Sequence, residues 1–291
     1  MKVLITGAGG QLGWELLRSA PSDWQVVGWE RSWLDITVEK EVVEKIGALQ
    51  PQWVINAAAY TAVDRAESQP DEARAVNHGG VVNLSRAVQR VGGKLLHLST
   101  DYVFDGSRGR PWGPEDAVAP LGEYGRSKLA GERAALDLLG ENLLLVRTAW
   151  LYSSRGHNFV QTMLRLMREG RNLSVVMDQT GSPTWAFHLA TALWGLLERD
   201  VCGILHWCNA GVASWYDFAV AIQQLALQMG VLSSPVTIHP IPSSAYPTAA
   251  TRPAFSVLDC TKSWEILASP APHWQTALAS MLQEVAGESR L

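Results

Sequence analysis

The residues Lys2-Val3-Leu4-Ile5-Thr6 form a short apolar run that leads straight into Gly7-Ala8-Gly9-Gly10-Gln11-Leu12-Gly13, and Trp14 to Arg18 then follow with helical spacing. A buried strand that turns into a helix through three spaced glycines leaves few choices of fold. Gly7 allows a tight turn, Gly10 a close approach of the backbone to a pyrophosphate, and Gly13 close packing of helix on strand, with the helix N-terminus facing the anion. A glycine-rich turn alone is weak evidence. Placed between a first strand and a first helix, it favours dinucleotide binding over a plain turn.

The chain beyond repeats that strand-then-helix rhythm. Gln25 to Trp29 reads as a second strand with Glu30 at its end. An acidic side chain there suits the free 2′-hydroxyl of NAD, whereas the adjacent Arg31 suits the 2′-phosphate of NADP, so the sequence argues both ways. Asp35-Ile36 lies where a side chain would reach an adenine; Asp35 as the cap of a helix starting near Val38 is an equal alternative. Trp53 to Asn56 is a third strand that runs into the small residues Ala57, Ala58 and Ala59, which let a ligand lie against the backbone. Asp71 to Val91 reads as a helix containing Asn77, and Lys94 to Thr100 as a strand with Thr100-Asp101 at its carboxyl end. A loop rich in Gly, Pro and Arg then leads to a helix around Tyr124, and Leu143 to Thr148 is a strand ending at Ala149-Trp150. These alternations predict an α/β fold, a doubly wound parallel sheet of Rossmann type with ligands beyond the carboxyl ends of the strands.

After Trp150 the alternation fades into a helix at 158–169, a strand at 173–177, a polar turn at 178–184, a helix at 186–198 and a strand at 203–207. A loop-rich stretch at 235–252 precedes a final helix at about 274–285. The expected organisation is a dinucleotide-binding domain over 1–150, joined by about 185–208, and a smaller C-terminal substrate-binding domain from 151–184 and 209–291.

At 291 residues, 47% hydrophobic and 18% charged, the chain has an ordinary globular composition with enough length for a large core. A net charge of −4 without a basic run gives no reason to expect nucleic acid. There is no signal-peptide pattern and no long apolar span, so the expectation is a cytoplasmic protein without a membrane partner. Three cysteines, Cys202, Cys208 and Cys260, lack CxxC spacing and read as core thiols rather than a metal site.

Tyr124 and Lys128 are four residues apart in Glu123-Tyr124-Gly125-Arg126-Ser127-Lys128, so on a helix they share a face about 5–6 Å apart. A free tyrosine, with a pKa of about 10, is a poor acid or base at neutral pH, and a cation beside it lowers that value. The pentad by itself is more often a Tyr packed beside a Lys stem on a solvated helix.

Thr-Gly-x-x-Gly-x-x-Gly at 6–13, Asp35-Ile36, Asn56-Ala57-Ala58, Ser99-Thr100 and Tyr124-x-x-x-Lys128 occur in this order. That set resembles the extended short-chain dehydrogenase/reductase family. Further blocks at 56–67, 99–106, 124–132, 147–150, 178–184 and 245–248 resemble its dTDP-4-dehydrorhamnose reductase branch over nearly the whole chain. The resemblance implies NAD(P)H-dependent reduction of the C4 ketone of a dTDP-4-dehydro sugar, with NADPH or NADH as cofactor and a dTDP-sugar as substrate. It implies that Thr100, Tyr124 and Lys128 are the catalytic set. The cofactor would be met by Gly7, Gly10, Gln11, Leu12, Gly13, Glu30, Arg31, Asp35, Ile36, Ala57, Ala58, Ala59, Tyr60 and Thr61, besides Tyr124 and Lys128. The substrate would meet Thr100, Asp101, Tyr124 and Trp150.

Two positions depart from the branch. Some members hold Mg²⁺ between subunits; Glu15 matches one of their acids, but Phe187 and His188 stand where another acid is expected, which implies no metal and a monomer or weak homodimer. Leu98 replaces a tyrosine that contacts the cofactor in relatives. A dehydratase of the same family would carry Thr-Asp-Glu where residues 100–102 read Thr-Asp-Tyr. A non-catalytic cofactor-binding subunit resembling that of methionine adenosyltransferase is the other alternative.

Overall fold

The computed structural model describes residues 1–288. Along the first half, β1 (Lys2–Thr6), α1 (Gln11–Arg18), β2 (Gln25–Trp29), α2 (Glu39–Leu49), β3 (Trp53–Asn56), α3 (Val63–Ser68), α4 (Pro70–Arg74), α5 (Val81–Val91), β4 (Lys94–Thr100), α6 (Glu123–Leu139) and β5 (Leu143–Thr148) follow one another. The second half has shorter pieces: β6 (Leu151–Tyr152), α7 (Phe159–Arg168), β7 (Leu173–Val176), β8 (Thr180–Gly181), β9 (Thr184–Trp185), α8 (Ala186–Glu198), β10 (Gly203–His206), β11 (Ala213–Ser214), α9 (Trp215–Gln228), β12 (Ile238–Ile241), α10 (Thr261–Leu267) and α11 (Trp274–Glu288).

Six strands form one sheet in the order β10-β5-β4-β3-β1-β2, and every neighbouring pair is parallel. Because side chains alternate along a strand, Val3 and Ile5 enter one core with Leu96, Leu144 and Leu193, while Leu4 enters another with Leu95, Leu143 and Ile46. Both faces are covered, by α1 and α8 on one side and α2, α5 and α6 on the other. This is why these strands read as continuous apolar runs rather than alternating ones. The strand order reverses direction between β1 and β3, and a sheet of this kind opens its crevice at that reversal.

A separate core of Met163, Leu164, Phe218, Ile222, Leu278 and Met281 is built from α7, α9 and α11, away from the sheet. The chain returns from this region to the sheet twice, through α8 and β10 and again through α10, whose Trp264, Ile266 and Leu267 pack on the same core.

Two expectations are corrected. The helix at 71–91 is broken by a π-helical turn over Ala75–Gly80, which inserts an extra residue per turn where Asn77 faces inward. The loop-rich stretch at 235–252 contains β12, which pairs in parallel with β7; Pro240 is tolerated because β12 is an edge strand. The helices α3, α9 and α10 had no clear signal in the sequence. Among the described residues no helix is long and apolar enough to cross a membrane.

Candidate active site

The glycine turn sits at the reversal of the sheet. Gly7 has φ +71°, and a Cβ on it would stand 2.6 Å from the amide nitrogen of Ala58; one on Gly13 would stand 2.3 Å from the Gly7 carbonyl oxygen. Neither position can hold a side chain without moving backbone. The Gly10 amide donates to the Gly7 carbonyl at 3.0 Å, and Gly10 begins α1 with no side-chain cap and no acid in the first turn. The first-turn amides therefore keep their affinity for an anion. The free first-turn amides at Gly10 and the lack of a side-chain cap fit a pyrophosphate. Gln11 turns away instead, accepting from the Asn158 amide at 2.9 Å, and Leu12 is buried in the sheet core, so only its backbone faces the turn.

The end of β2 carries three of the predicted residues. The carboxyl of Glu30 lies 3.1 Å from where a Cβ of Gly9 would be, so it leans over the turn. Arg31 is 80% exposed and its Nε donates to Asp35 at 3.1 Å. Asp35 is not a helix cap: α2 begins after Val38 without a side-chain cap, and the Asp35 carboxylate accepts from the Thr37 amide and hydroxyl at 3.0 and 2.7 Å. Burial works against the charge on Asp35, but the Thr37 bonds and Arg31 hold its pKa below the usual value. Ile36 packs in the core beside α2, and its carbonyl accepts from Asn83 at 2.9 Å.

The loop after β3 is held from below. The amide of Ala58 donates to Asn56, and the amide of Tyr60 donates to the Asn77 side chain at 2.9 Å. The Asn77 amide group donates to the Tyr60 carbonyl and to Ser127 on α6, both at 3.0 Å. Ala57, Ala58, Ala59 and Tyr60 are partly buried and Thr61 is exposed. Asn77 thus joins this loop to the helix of Tyr124, a strut whose sequence signal was a lone asparagine inside a helix.

Tyr124 and Lys128 sit on α6 across from the carboxyl end of β4. The helix lies close because Gly125 has no side chain: a Cβ there would be 2.3 Å from the Tyr102 carbonyl oxygen. The Thr100 hydroxyl donates to the Asp101 carboxylate at 3.0 Å and accepts from the Tyr102 amide at 3.2 Å. It also faces the Tyr124 phenol. The expected lowering of the Tyr124 pKa by Lys128 is not found. Burial pushes the phenol up to about 12, against a smaller opposing effect of Thr100, and Asp101 adds to the rise. Lys128 instead donates to the Leu98 carbonyl at 2.6 Å, and burial pulls its ammonium down to about 8. Asp101 is fully buried, one of its oxygens has no hydrogen-bond partner, and burial raises its carboxyl to about 6.

A cleft of about 550 Å³ opens in the smaller body, lined among others by Phe159, Met163, Val175, Trp215, Tyr246 and Arg252, of which Arg252 reaches back to Tyr102. Trp150, at the end of β5, stacks on Trp215 with centroids 3.5 Å apart and planes 3° from parallel. Arg252 makes a two-pronged ion pair with Asp64, at 2.7 and 3.1 Å, beside Tyr102. Neither Trp215 nor Arg252 was among the predicted site residues. Thr-Arg-Pro at 251–253 was visible as a motif, but nothing in it says what the arginine approaches.

Glu15 does not fit a metal. It is buried, accepts from Arg18 at 2.6 and 2.9 Å and from the Ser153 hydroxyl at 2.8 Å, and Arg18 in turn lies over the Phe187 ring. Its carboxylate is already neutralised inside the molecule.

A doubly wound parallel sheet with a glycine turn at its reversal, and a helix that sets Tyr124 against Thr100 at the end of β4 with Lys128 one turn further on, defines a protein of the extended short-chain dehydrogenase/reductase class. Residues 1–286 match the family described as the RmlD substrate binding domain. The chain is 37% identical to the dTDP-4-dehydrorhamnose reductase of Escherichia coli (strain K12) and 40% identical to that of Burkholderia thailandensis, covering 98% of this chain in both cases and 98% and 99% of those proteins. It also matches the crystal structure of dTDP-4-dehydrorhamnose reductase from Bacillus anthracis in complex with NADP, at 35% identity and a TM-score of 0.91, over 98% of this chain and all of that one. The chain belongs to the dTDP-4-dehydrorhamnose reductase family.

Proposed function

We propose that the protein reduces the C4 ketone of dTDP-4-dehydro-L-rhamnose to dTDP-L-rhamnose at the expense of NADPH. The observation that carries the reading is the buried Tyr124 phenol facing the Thr100 hydroxyl at the carboxyl end of β4, with Lys128 one turn along α6 and an uncapped glycine turn at the reversal of the same sheet. Residues 1–150 with about 185–208 hold the cofactor, and 151–184 with 209–291 hold the sugar nucleotide. NADPH supplies the hydride when bound; the chain supplies position and a proton.

A phenol held near 12 keeps its proton at neutral pH, so Tyr124 stays an acid until negative charge develops on the ketone oxygen. The Thr100 hydroxyl faces the same point and orients that oxygen. Lys128, buried one helical turn away and anchored to the Leu98 carbonyl, would meet the nicotinamide ribose. Glu30, Arg31 and Asp35 would hold the adenosine end of the cofactor, Ala57, Ala58, Ala59, Tyr60 and Thr61 would line its groove, and Trp150 and Asp101 would contact the sugar. The enzyme acts as a monomer or weak homodimer in the cytoplasm and needs no Mg²⁺.

The test follows the loss of NADPH and of NADH absorbance, each with dTDP-4-dehydro-L-rhamnose, with and without chelator. Turnover with NADPH that survives chelation is expected. Tight NADPH binding without turnover would instead favour a cofactor-binding regulatory protein.

A further inference from the structure

Trp150 combines three unusual features. Its φ is +47°, a left-handed conformation that costs a residue with a Cβ roughly 1–2 kcal/mol. The other non-glycine residues of that kind among the described ones, Gln50, Asp200 and Ala268, lie at or just past the ends of helices, where such a turn is usual; Trp150 leaves a central strand. A strained backbone of this sort persists only when its surroundings fix it.

The surroundings are two. On one face the indole lies flat on Trp215, which opens α9 and is held by a capping box between Ser214 and Asp217. The second is Gly181, at the pyrrole nitrogen end of the indole, where a Cβ would come within 2.5 Å of the indole nitrogen and its neighbouring ring carbon. Gly181 is not in the left-handed region, so a glycine is required there for room and not for its backbone. The two sides are built as one piece, since β8 and β11 pair with Ala213 opposite Gly181 and Ser214 opposite Thr180.

From this slot we infer that Gly181 and Trp215 are positioning residues for substrate: they fix the Trp150 indole as the wall of the sugar site, and Trp215 extends that wall into the nucleotide cleft. The inference rests on the proposed placement of the sugar against Trp150. It adds that the orientation of this wall is decided by the smaller body, through β8, β11 and α9, and not by the strand that carries Trp150.

The experiment measures binding of dTDP-L-rhamnose and of NADPH by calorimetry, together with kcat and KM, for Gly181→Ala, Trp150→Ala, their double variant, Trp215→Phe and Trp215→Leu. Gly181→Ala is expected to weaken dTDP-L-rhamnose and raise KM roughly 10-fold or more, the scale of a small misplacement in a site, with NADPH affinity unchanged. In the Trp150→Ala background the same change should have no further effect. Trp215→Phe should keep most of the affinity and Trp215→Leu lose it. The stacked indoles should also give the wild type an exciton couplet in circular dichroism that Trp215→Leu abolishes. Wild-type sugar-nucleotide affinity in Gly181→Ala, or the same loss with and without the Trp150 indole, overturns the inference. Should Gly181→Ala not fold, equal affinities for the Phe and Leu variants do so. A wild type that binds dTDP-L-rhamnose without reducing the ketone sinks the reductase reading alone, and the affinities still decide this one.

Discussion

Burial moves Tyr124, Asp101 and Lys128 each toward its neutral form. For Tyr124 that is the useful direction in a reductase, because a retained proton is the reagent. Tyr124→Phe is expected to lower kcat by roughly 10²-fold or more while NADPH binding stays near wild type, measured by single-turnover kinetics and calorimetry. Asp101 gives a stability test with a definite sign. Its folded pKa of about 6 exceeds the ordinary 3.8, so its contribution is fully present below about 3.8 and is lost as pH rises through about 6. Asp101→Asn should therefore gain stability relative to wild type on going from about pH 4 to about pH 7, by of order 1–3 kcal/mol in urea unfolding. No gain would mean that the carboxyl titrates normally. At the other end of the cofactor groove, Arg31→Ala should shift kcat/KM toward NADH and Glu30→Ala toward NADPH, each by about 1–3 kcal/mol, as for one charged hydrogen bond. If neither changes the ratio, the 2′ position is read elsewhere.

The elements are brought together by glycines whose meaning is tertiary. Gly131, one turn past Lys128, faces the π-helical turn so closely that a Cβ would stand 2.1 Å from the Asn77 carbonyl oxygen. α6 can approach only because that face is bare. Gly131→Ala is expected to cost about 1–3 kcal/mol of stability, the range for overpacking a fitted contact, and to weaken NADPH by displacing Asn77 from Tyr60 and Ser127. Chemical denaturation and cofactor titration of the same variant check both halves. The strand-then-helix order, the glycine turn and the ends of β1, β2, β4, β5 and α8 were all legible, because each has a strong apolar period or a breaker at its limits. The π turn, β12 and the capping-box helix α9 were not, because their signals are short and their partners lie far away in the chain.

At the scale of the whole molecule, the sheet and the smaller core meet through polar contacts around the site: Arg252 with Asp64, Asn158 with Gln11, Arg18 with Glu284 and Ser153 with Glu15. Arg252→Met removes one of these clasps beside Tyr102. Since Asp64 is 45% exposed, the loss of stability should be only about 1 kcal/mol or less. KM for the sugar nucleotide should rise nonetheless, with NADPH affinity unchanged; steady-state kinetics against each substrate separates the two, and an unchanged KM would confine Arg252 to a structural part. What the sequence by itself determined is the parallel sheet and the glycine turn, since strand burial on both faces and turn geometry are local properties of consecutive residues; the set Thr100, Tyr124 and Lys128 was legible only through the resemblance to a family, because helical spacing alone does not tell it from a solvated helix face. Only the tertiary structure decided which charge each group feels, that Lys128 reaches the Leu98 carbonyl, that Asp35 holds Thr37 and that Trp150 is held by Trp215 and Gly181. Apart from the local Asp35–Thr37 turn, those outcomes depend on burial and on contacts between residues about 30 to 65 positions apart, and no period in the chain encodes them.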